Sequence, residues 1–148
     1  MKIEKKISRI KNVKGNYYNA IVFSVFEFVL NPILRKYLFS LRFRYIWNCL
    51  KRNHFAFHIT VPIKNVNNII ISDISIKGLG SVSNSVSTTW YLIIDSEQLT
   101  AIYQEQNKNK KVIEPYDYHI TLAFINGDVH KSIGSESIRK DISTLVFS

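Results

Sequence analysis

Two tripeptides in this chain carry the same pair of chemically useful side chains, His58-Ile59-Thr60 and His119-Ile120-Thr121. Their frames match: an aromatic residue precedes each histidine (Phe57, Tyr118) and a branched apolar residue follows each threonine (Val61, Leu122). On a strand, residues i and i+2 share a face, so each histidine stands beside its threonine while the isoleucine points the other way. Two such faces set against each other place two imidazoles and two hydroxyls around one small group, and a phosphodiester suits that arrangement. A neutral imidazole accepts a proton from water, and a protonated one donates to the leaving oxygen. With an ordinary imidazole pKa near 6.5, the pair works at neutral pH without a metal. The hydroxyls hydrogen-bond the non-bridging phosphate oxygens, whose charge changes in the transition state. His58 and His119 are therefore the candidate catalytic pair, and Thr60 and Thr121 the candidate phosphate-binding pair. A repeat that preserves a purely structural His/Thr pair is the competing reading.

Other residues are weighed against this quartet. His130-Lys131-Ser132 also has the histidine-hydroxyl spacing, but it follows the turn residues Asn126-Gly127-Asp128 and reads as an exposed loop. His54 lies four residues before His58, so on a continuous strand it faces the same side, at the edge of a cleft or simply packed. Neither histidine is accompanied by Asp, Glu or Cys on that strand, so no metal site is expected. Tyr17, Tyr18, Trp90 and Tyr91 fall on the strands that open the two halves. Tyr18, Trp90 and Tyr91 are the candidates for stacking a base, with ordinary sheet core as the alternative. Gly78-Leu79-Gly80 and the serines after it form either a lid or a linker. They are not a phosphate loop, because no Lys-Ser/Thr follows and no helix opens there.

The elements that must hold these residues repeat. Tyr17–Ser24 is rich in aromatic and β-branched residues and reads as a strand. From Asn31 to Leu50 the apolar residues recur at spacings of three and four, which predicts a helix with Asn31 as its cap and Pro32 as its first residue. His54–Ile63 and Ile69–Lys77 read as strands, Gly78–Ser87 as a loop. The second half then gives a strand over Thr88–Ile94, a helix to about Gln106, a strand over Tyr116–Ile125 and a closing strand over Ile142–Phe147. The expected fold is α+β: one bilobal domain over residues 1–148 of duplicated β-α-β-β units, lobe one at about 15–77 and lobe two at about 88–147. Two small antiparallel-rich sheets would face a central cleft with helices outside.

Composition narrows the class. With 148 residues, 46% of them hydrophobic, one domain with an ordinary core is expected and a disordered polycation is excluded. The lone cysteine, Cys49, excludes an intramolecular disulfide framework and a Cys-rich zinc site. The formal charge is +9, and the residues up to Arg52 carry twelve basic and two acidic side chains. The excess sits before the first His-x-Thr strand, as a solvated face or as a surface that steers an anionic substrate. The apolar run Ala20–Leu30 contains Glu27 and lacks a cleavage site, and it is short for a membrane span, which takes about 20 residues. Membrane association is not expected, and a cytoplasmic location is.

Paired His-x-Thr/Ser motifs on strands of a duplicated bilobal domain resemble the 2H phosphoesterase superfamily. Its members include RNA 2′,3′-cyclic phosphodiesterases, RNA-repair-like proteins and enzymes that cut 2′-5′ oligoadenylate or cyclic dinucleotides. The resemblance covers roughly Tyr17 to Phe147 and rests on His58, Thr60, His119 and Thr121. It implies a phosphodiesterase that needs no cofactor or metal and acts on an RNA end or a small (cyclic) nucleotide in RNA processing or repair. It also implies that His58 is the acid and His119 the base, opening a 2′,3′-cyclic phosphate to a 2′-phosphate. The spacing of 61 residues between the histidines is short for the family. The alternative is a module that binds RNA or a nucleotide in the same cleft without cleaving it.

Overall fold

Lys5–Lys11 forms the first strand, β1, in the computed structural model, which describes residues 3–12, 14–64, 66 and 68–126. In sequence KKISRIK reads as a charge run, but Ile7 is fully buried and the cations lie to either side of it. A tight turn follows. The Asn12 side-chain oxygen accepts the backbone N–H groups of Lys14 and Asn16, and Gly15 adopts a φ of +88° that a Cβ would strain. The chain returns antiparallel as β2 (Tyr17–Ser24).

Ser24 ends β2 and starts α1 (Val25–Leu30). Its hydroxyl accepts the Glu27 N–H while the Glu27 carboxylate accepts the Ser24 N–H, a capping box. Glu27 also pairs with Lys5. The Ala20–Leu30 run is thus divided between a strand and a short helix. Among the described residues no helix is long and apolar enough to cross a membrane. Asn31 caps α2 (Pro32–Leu38) as expected, its side-chain oxygen accepting the Ile33 and Leu34 N–H groups. The single helix expected over 31–50 is broken. Near the end of α2 the Ser40 hydroxyl donates to the Tyr37 carbonyl, and the chain restarts as α3 (Phe43–Arg52). The periodicity runs across the break because both pieces bury their apolar side in the same core.

Then come β3 (Ala56–Val61), β4 (Ile70–Ile71), β5 (Ser75–Ser83), β6 (Thr88–Asp95), α4 (Glu97–Gln106) and β7 (His119–Phe124). Gly78–Ser87, expected as a loop, supplies most of β5 and the turn into β6. Its small residues suit the site, because a Cβ on Gly80 would lie 2.9 Å from the Tyr91 ring. The expected strand Ile69–Lys77 is divided between β4 and the start of β5. The closing strand Ile142–Phe147 and the His130-Lys131-Ser132 motif lie outside the described residues.

The strands do not form two sheets. Among the described residues they make one seven-stranded, mostly antiparallel sheet in the order β4-β1-β2-β3-β7-β6-β5, curled into a half-barrel. The expectation of two small sheets facing a cleft fails because β3 and β7 pair through Ile59 and Ile120, which joins the halves edge to edge. The frame of the repeat also shifts. β1-β2-helices-β3 in the first half matches β5-β6-α4-β7 in the second, a ββαβ unit rather than βαββ. One apolar core lies between one face of the sheet and the helices. It contains Ile21, Phe57, Ile59, Leu92 and Ile120 from the strands and Phe28, Leu34, Cys49 and Leu99 from the helices. Burying these side chains at about 1.5–3 kcal/mol each is the main force that closes this layer.

Candidate functional site

Alternation along β3 and β7 decides which side chains meet. Phe57, Ile59 and Val61 are buried toward the helices, and so are Ile120 and Leu122. His58, Thr60, His119 and Thr121 therefore point to the opposite face, where all four are half-buried. The Ile59–Ile120 pair fixes the rest. In an antiparallel ladder it places His58 opposite Thr121 and Thr60 opposite His119. The quartet is then a parallelogram with the histidines on one diagonal and the threonines on the other. Diagonal neighbours on adjacent strands lie about 7–8 Å apart. One tetrahedral phosphate fills such a gap when both rings hydrogen-bond its oxygens at about 2.8 Å.

A local two-fold axis passes through the Ile59–Ile120 pair. It carries His58 onto His119 and Thr60 onto Thr121. It also carries their partners on the next strands onto each other, Val22 (opposite His58) onto Ile93 (opposite His119), and Ala20 (opposite Thr60) onto Tyr91 (opposite Thr121). Two ties hold β7 on the helix layer behind this face. Asn48 Nδ2 donates to the Phe124 and Ile125 carbonyls at 2.9 and 2.8 Å, and the Cys49 thiol donates to the Thr121 carbonyl at 3.4 Å.

Each histidine has a tyrosine ring edge-on beside it. Tyr18 reaches over Ala20 to His58 with centroids 6.0 Å apart, and Tyr91 lies 5.8 Å from His119. The two tyrosines differ in role. Tyr18 lines an open pocket. Tyr91 is 1% exposed, packed over Gly80 with Val82 and Ile93. Tyr91 is therefore not available to stack a base; it braces His119 from the side. Trp90 is also corrected. It points to the helix face and stacks on Tyr45 of α3 at 5.6 Å and 14°, because successive residues of β6 alternate between the two faces. Of the three stacking candidates, only Tyr18 opens onto the site. Burial raises its hydroxyl pKa, and the nearby Arg52 charge offsets part of that, so Tyr18 is a neutral donor at neutral pH.

His119 has a fixed orientation. Its Nδ1 lies 2.9 Å from the Asp117 carbonyl oxygen. A carbonyl only accepts, so Nδ1 carries the proton, and in the neutral ring Nε2 holds the lone pair. That is the form a general base needs.

The pocket beside His58 and Thr60 measures about 600 Å³, within the usual range for small-molecule sites. Lys11, Asn12, Tyr18, Arg52, Asn53 and His54 surround it. A smaller recess of about 380 Å³ shares Tyr18 and is lined by Arg9, Tyr17 and Lys64. The Tyr17 ring lies under the Arg9 guanidinium at 4.8 Å and the Lys11 amine at 5.8 Å. The basic N-terminal stretch thus contributes Lys11 at the site and Arg9 at the neighbouring recess, while five cations, Arg35 to Lys51, belong to the helix layer. His54 borders the pocket, the first of the two places open to it, but from a turn and not from a strand. It and Phe55 both adopt left-handed backbone, at φ 56° and 62°, and β3 begins only at Ala56.

Sequence reasoning missed Arg52, Asn53 and Gly80. Arg52 lies six residues before the first motif, close enough to have singled it out. The left-handed turn had no signal, since neither Gly nor Asn occupies it. Among the described residues no group of three or more His, Cys, Asp and Glu side chains converges on one point. No protein-family model, curated protein or solved structure matches this chain, so the functional reading rests on the site's own geometry.

Proposed function

We propose that this chain is a phosphodiesterase of the kind its paired motifs resemble. It hydrolyses a 2′,3′-cyclic phosphate, or a 2′-5′ phosphodiester, of an RNA end or small nucleotide by two-histidine acid/base catalysis without a metal. The observation that carries the reading is the placement of both His/Thr pairs on one face of the adjacent strands β3 and β7, related by a two-fold axis at Ile59–Ile120.

The steps follow from that placement. The phosphate lies between the two rings, and Thr60 and Thr121 donate to its non-bridging oxygens. His119 Nε2 takes a proton from water as the water oxygen bonds to phosphorus. The bond from phosphorus to the 3′-oxygen breaks, and His58 delivers its proton to that oxygen, leaving a 2′-phosphate. The Asp117 carbonyl stabilises the imidazolium that forms on His119. The nucleoside occupies the 600 Å³ pocket beside Tyr18, and Lys11 and Arg52 hold adjacent phosphate.

The test is turnover of a 2′,3′-cyclic nucleotide and of a 2′-5′-linked oligonucleotide in the presence of EDTA. The expected result is cleavage in the wild type and a loss of at least about 10²-fold in His58→Ala and in His119→Ala. Cleavage by either variant at the wild-type rate rules the reading out.

A further inference from the structure

Helices α1, α2 and α3 bury one side in the core through Phe28, Leu34, Leu38, Ile46, Cys49 and Leu50. Their other side is apolar as well. Phe26, Leu30 and Phe43 are 79%, 71% and 70% exposed, and Phe39, Trp47 and Phe55 are also open to solvent. Part of this surface is continuous. Phe43 stacks on Trp47 with centroids 6.1 Å apart, and Trp47 meets Phe55 at 5.5 Å. Phe55 is held there by a left-handed backbone that a bulky residue adopts only at a cost. Exposed aromatic patches of this kind mark docking surfaces.

Charge identifies the partner. Between Ser24 and Lys51 the chain carries five cations, Arg35, Lys36, Arg42, Arg44 and Lys51, and one acid, Glu27. Glu27 is bound by Lys5. Bulky rings that protrude among long cationic side chains fit a lipid interface. The rings enter the acyl boundary while Lys and Arg keep their charges at the headgroups. We propose that the outer side of this helix layer docks on an anionic lipid surface. The His/Thr quartet lies on the opposite face of the sheet, so the site stays open to solution when the helices are bound. This inference does not depend on the phosphodiesterase reading. It departs from the expectation of no membrane association, which weighed the Ala20–Leu30 run as a leader, a span or a membrane-associating segment.

The experiment is sedimentation of the full chain with vesicles of phosphatidylcholine plus phosphatidylserine, and with phosphatidylcholine alone. Binding to the anionic vesicles only, weakened by salt, is expected. Arg42→Gln with Lys51→Gln should weaken it about 25-fold at low salt, at about fivefold per cation. Phe43→Ser with Trp47→Ser should abolish it while the circular dichroism spectrum stays unchanged. Should the ring variant fail to fold, the charge variant still decides. No sedimentation with anionic vesicles overturns the proposal, as does binding that the charge variant leaves intact. Self-association, or binding of RNA, that the ring variant removes would assign the face to that partner and overturn it equally.

Discussion

Gly80→Ala tests whether the buried tyrosine braces the second histidine. A Cβ at this position would stand 2.9 Å from two atoms of the Tyr91 ring and 3.0 Å from its hydroxyl. Carbon atoms sit comfortably at about 3.5–4.0 Å, so the ring must shift by about 0.6 Å or more. Tyr91 is 1% exposed and packed with Val82 and Ile93, so it cannot simply swing into solvent. Overpacking of this kind costs about 1–3 kcal/mol. For a chain of this size that lowers Tm by roughly 2–4 °C per kcal/mol, about 4–8 °C in the middle of the range. Gly80 on β5 and His119 on β7 lie on either side of β6, so a ring pushed off one moves toward the other. His119 then leaves its place beside the phosphate, and kcat should fall about 10- to 100-fold, the scale of small misplacements. Thermal unfolding and turnover of a cyclic nucleotide read both effects. In a Tyr91→Leu background the added methyl should cost less than about 0.5 kcal/mol, because the atoms it strikes are gone. An unchanged Tm for Gly80→Ala, or an equal penalty in both backgrounds, would refute the reasoning.

Three further outcomes are expected. Thr60→Val and Thr121→Val keep the shape and remove the hydroxyl, so each should lower kcat about 10- to 100-fold with a small change in KM, read by steady-state kinetics. Arg52→Gln should raise KM for an oligonucleotide substrate and reduce the salt dependence of kcat/KM by about one charge, read across a salt series. At Glu27, burial acts to raise the carboxyl pKa, but the Lys5 and Ser24 hydrogen bonds and the Lys5 charge outweigh it and hold it below the usual carboxylate range. Its contribution is therefore complete above the unfolded value of about 4.3 and is lost as pH falls through the lower folded value. Glu27→Gln should flatten that part of the acid unfolding curve, by less than about 1 kcal/mol at this exposed position.

The site was more legible in the sequence than the architecture was. His58, Thr60, His119 and Thr121 could be placed on one side of their strands because alternation is a local rule. Asn31 and Pro32 marked a helix start for the same reason. The partners of those strands were not legible. Pairing of Ile59 with Ile120 across 61 residues is set by the shared core behind them, not by either tripeptide, so a joined sheet and two facing sheets share one local pattern. The segment β1 was hidden because three lysines and an arginine surround a single fully buried residue, Ile7. The segment β5 was hidden because its glycines and serines, which usually mark loops, make room for Tyr91. Trp90 and Tyr91 both read as stacking candidates in the sequence, since only the pairing of β6 with β7 shows which of the two reaches the quartet.

The most direct test of the central claim compares two leaving groups in the two histidine variants. One substrate is an ordinary 2′,3′-cyclic phosphate, and the other has sulfur in place of the bridging 3′-oxygen, a leaving atom that departs without protonation. If His58 is the acid and His119 the base, both alanine variants lose at least about 10²-fold on the oxygen substrate. On the sulfur substrate His58→Ala then recovers to near the wild-type rate, while His119→Ala stays slow. Wild-type rates for both variants on the oxygen substrate, or recovery of His119→Ala in place of His58→Ala, would contradict the account.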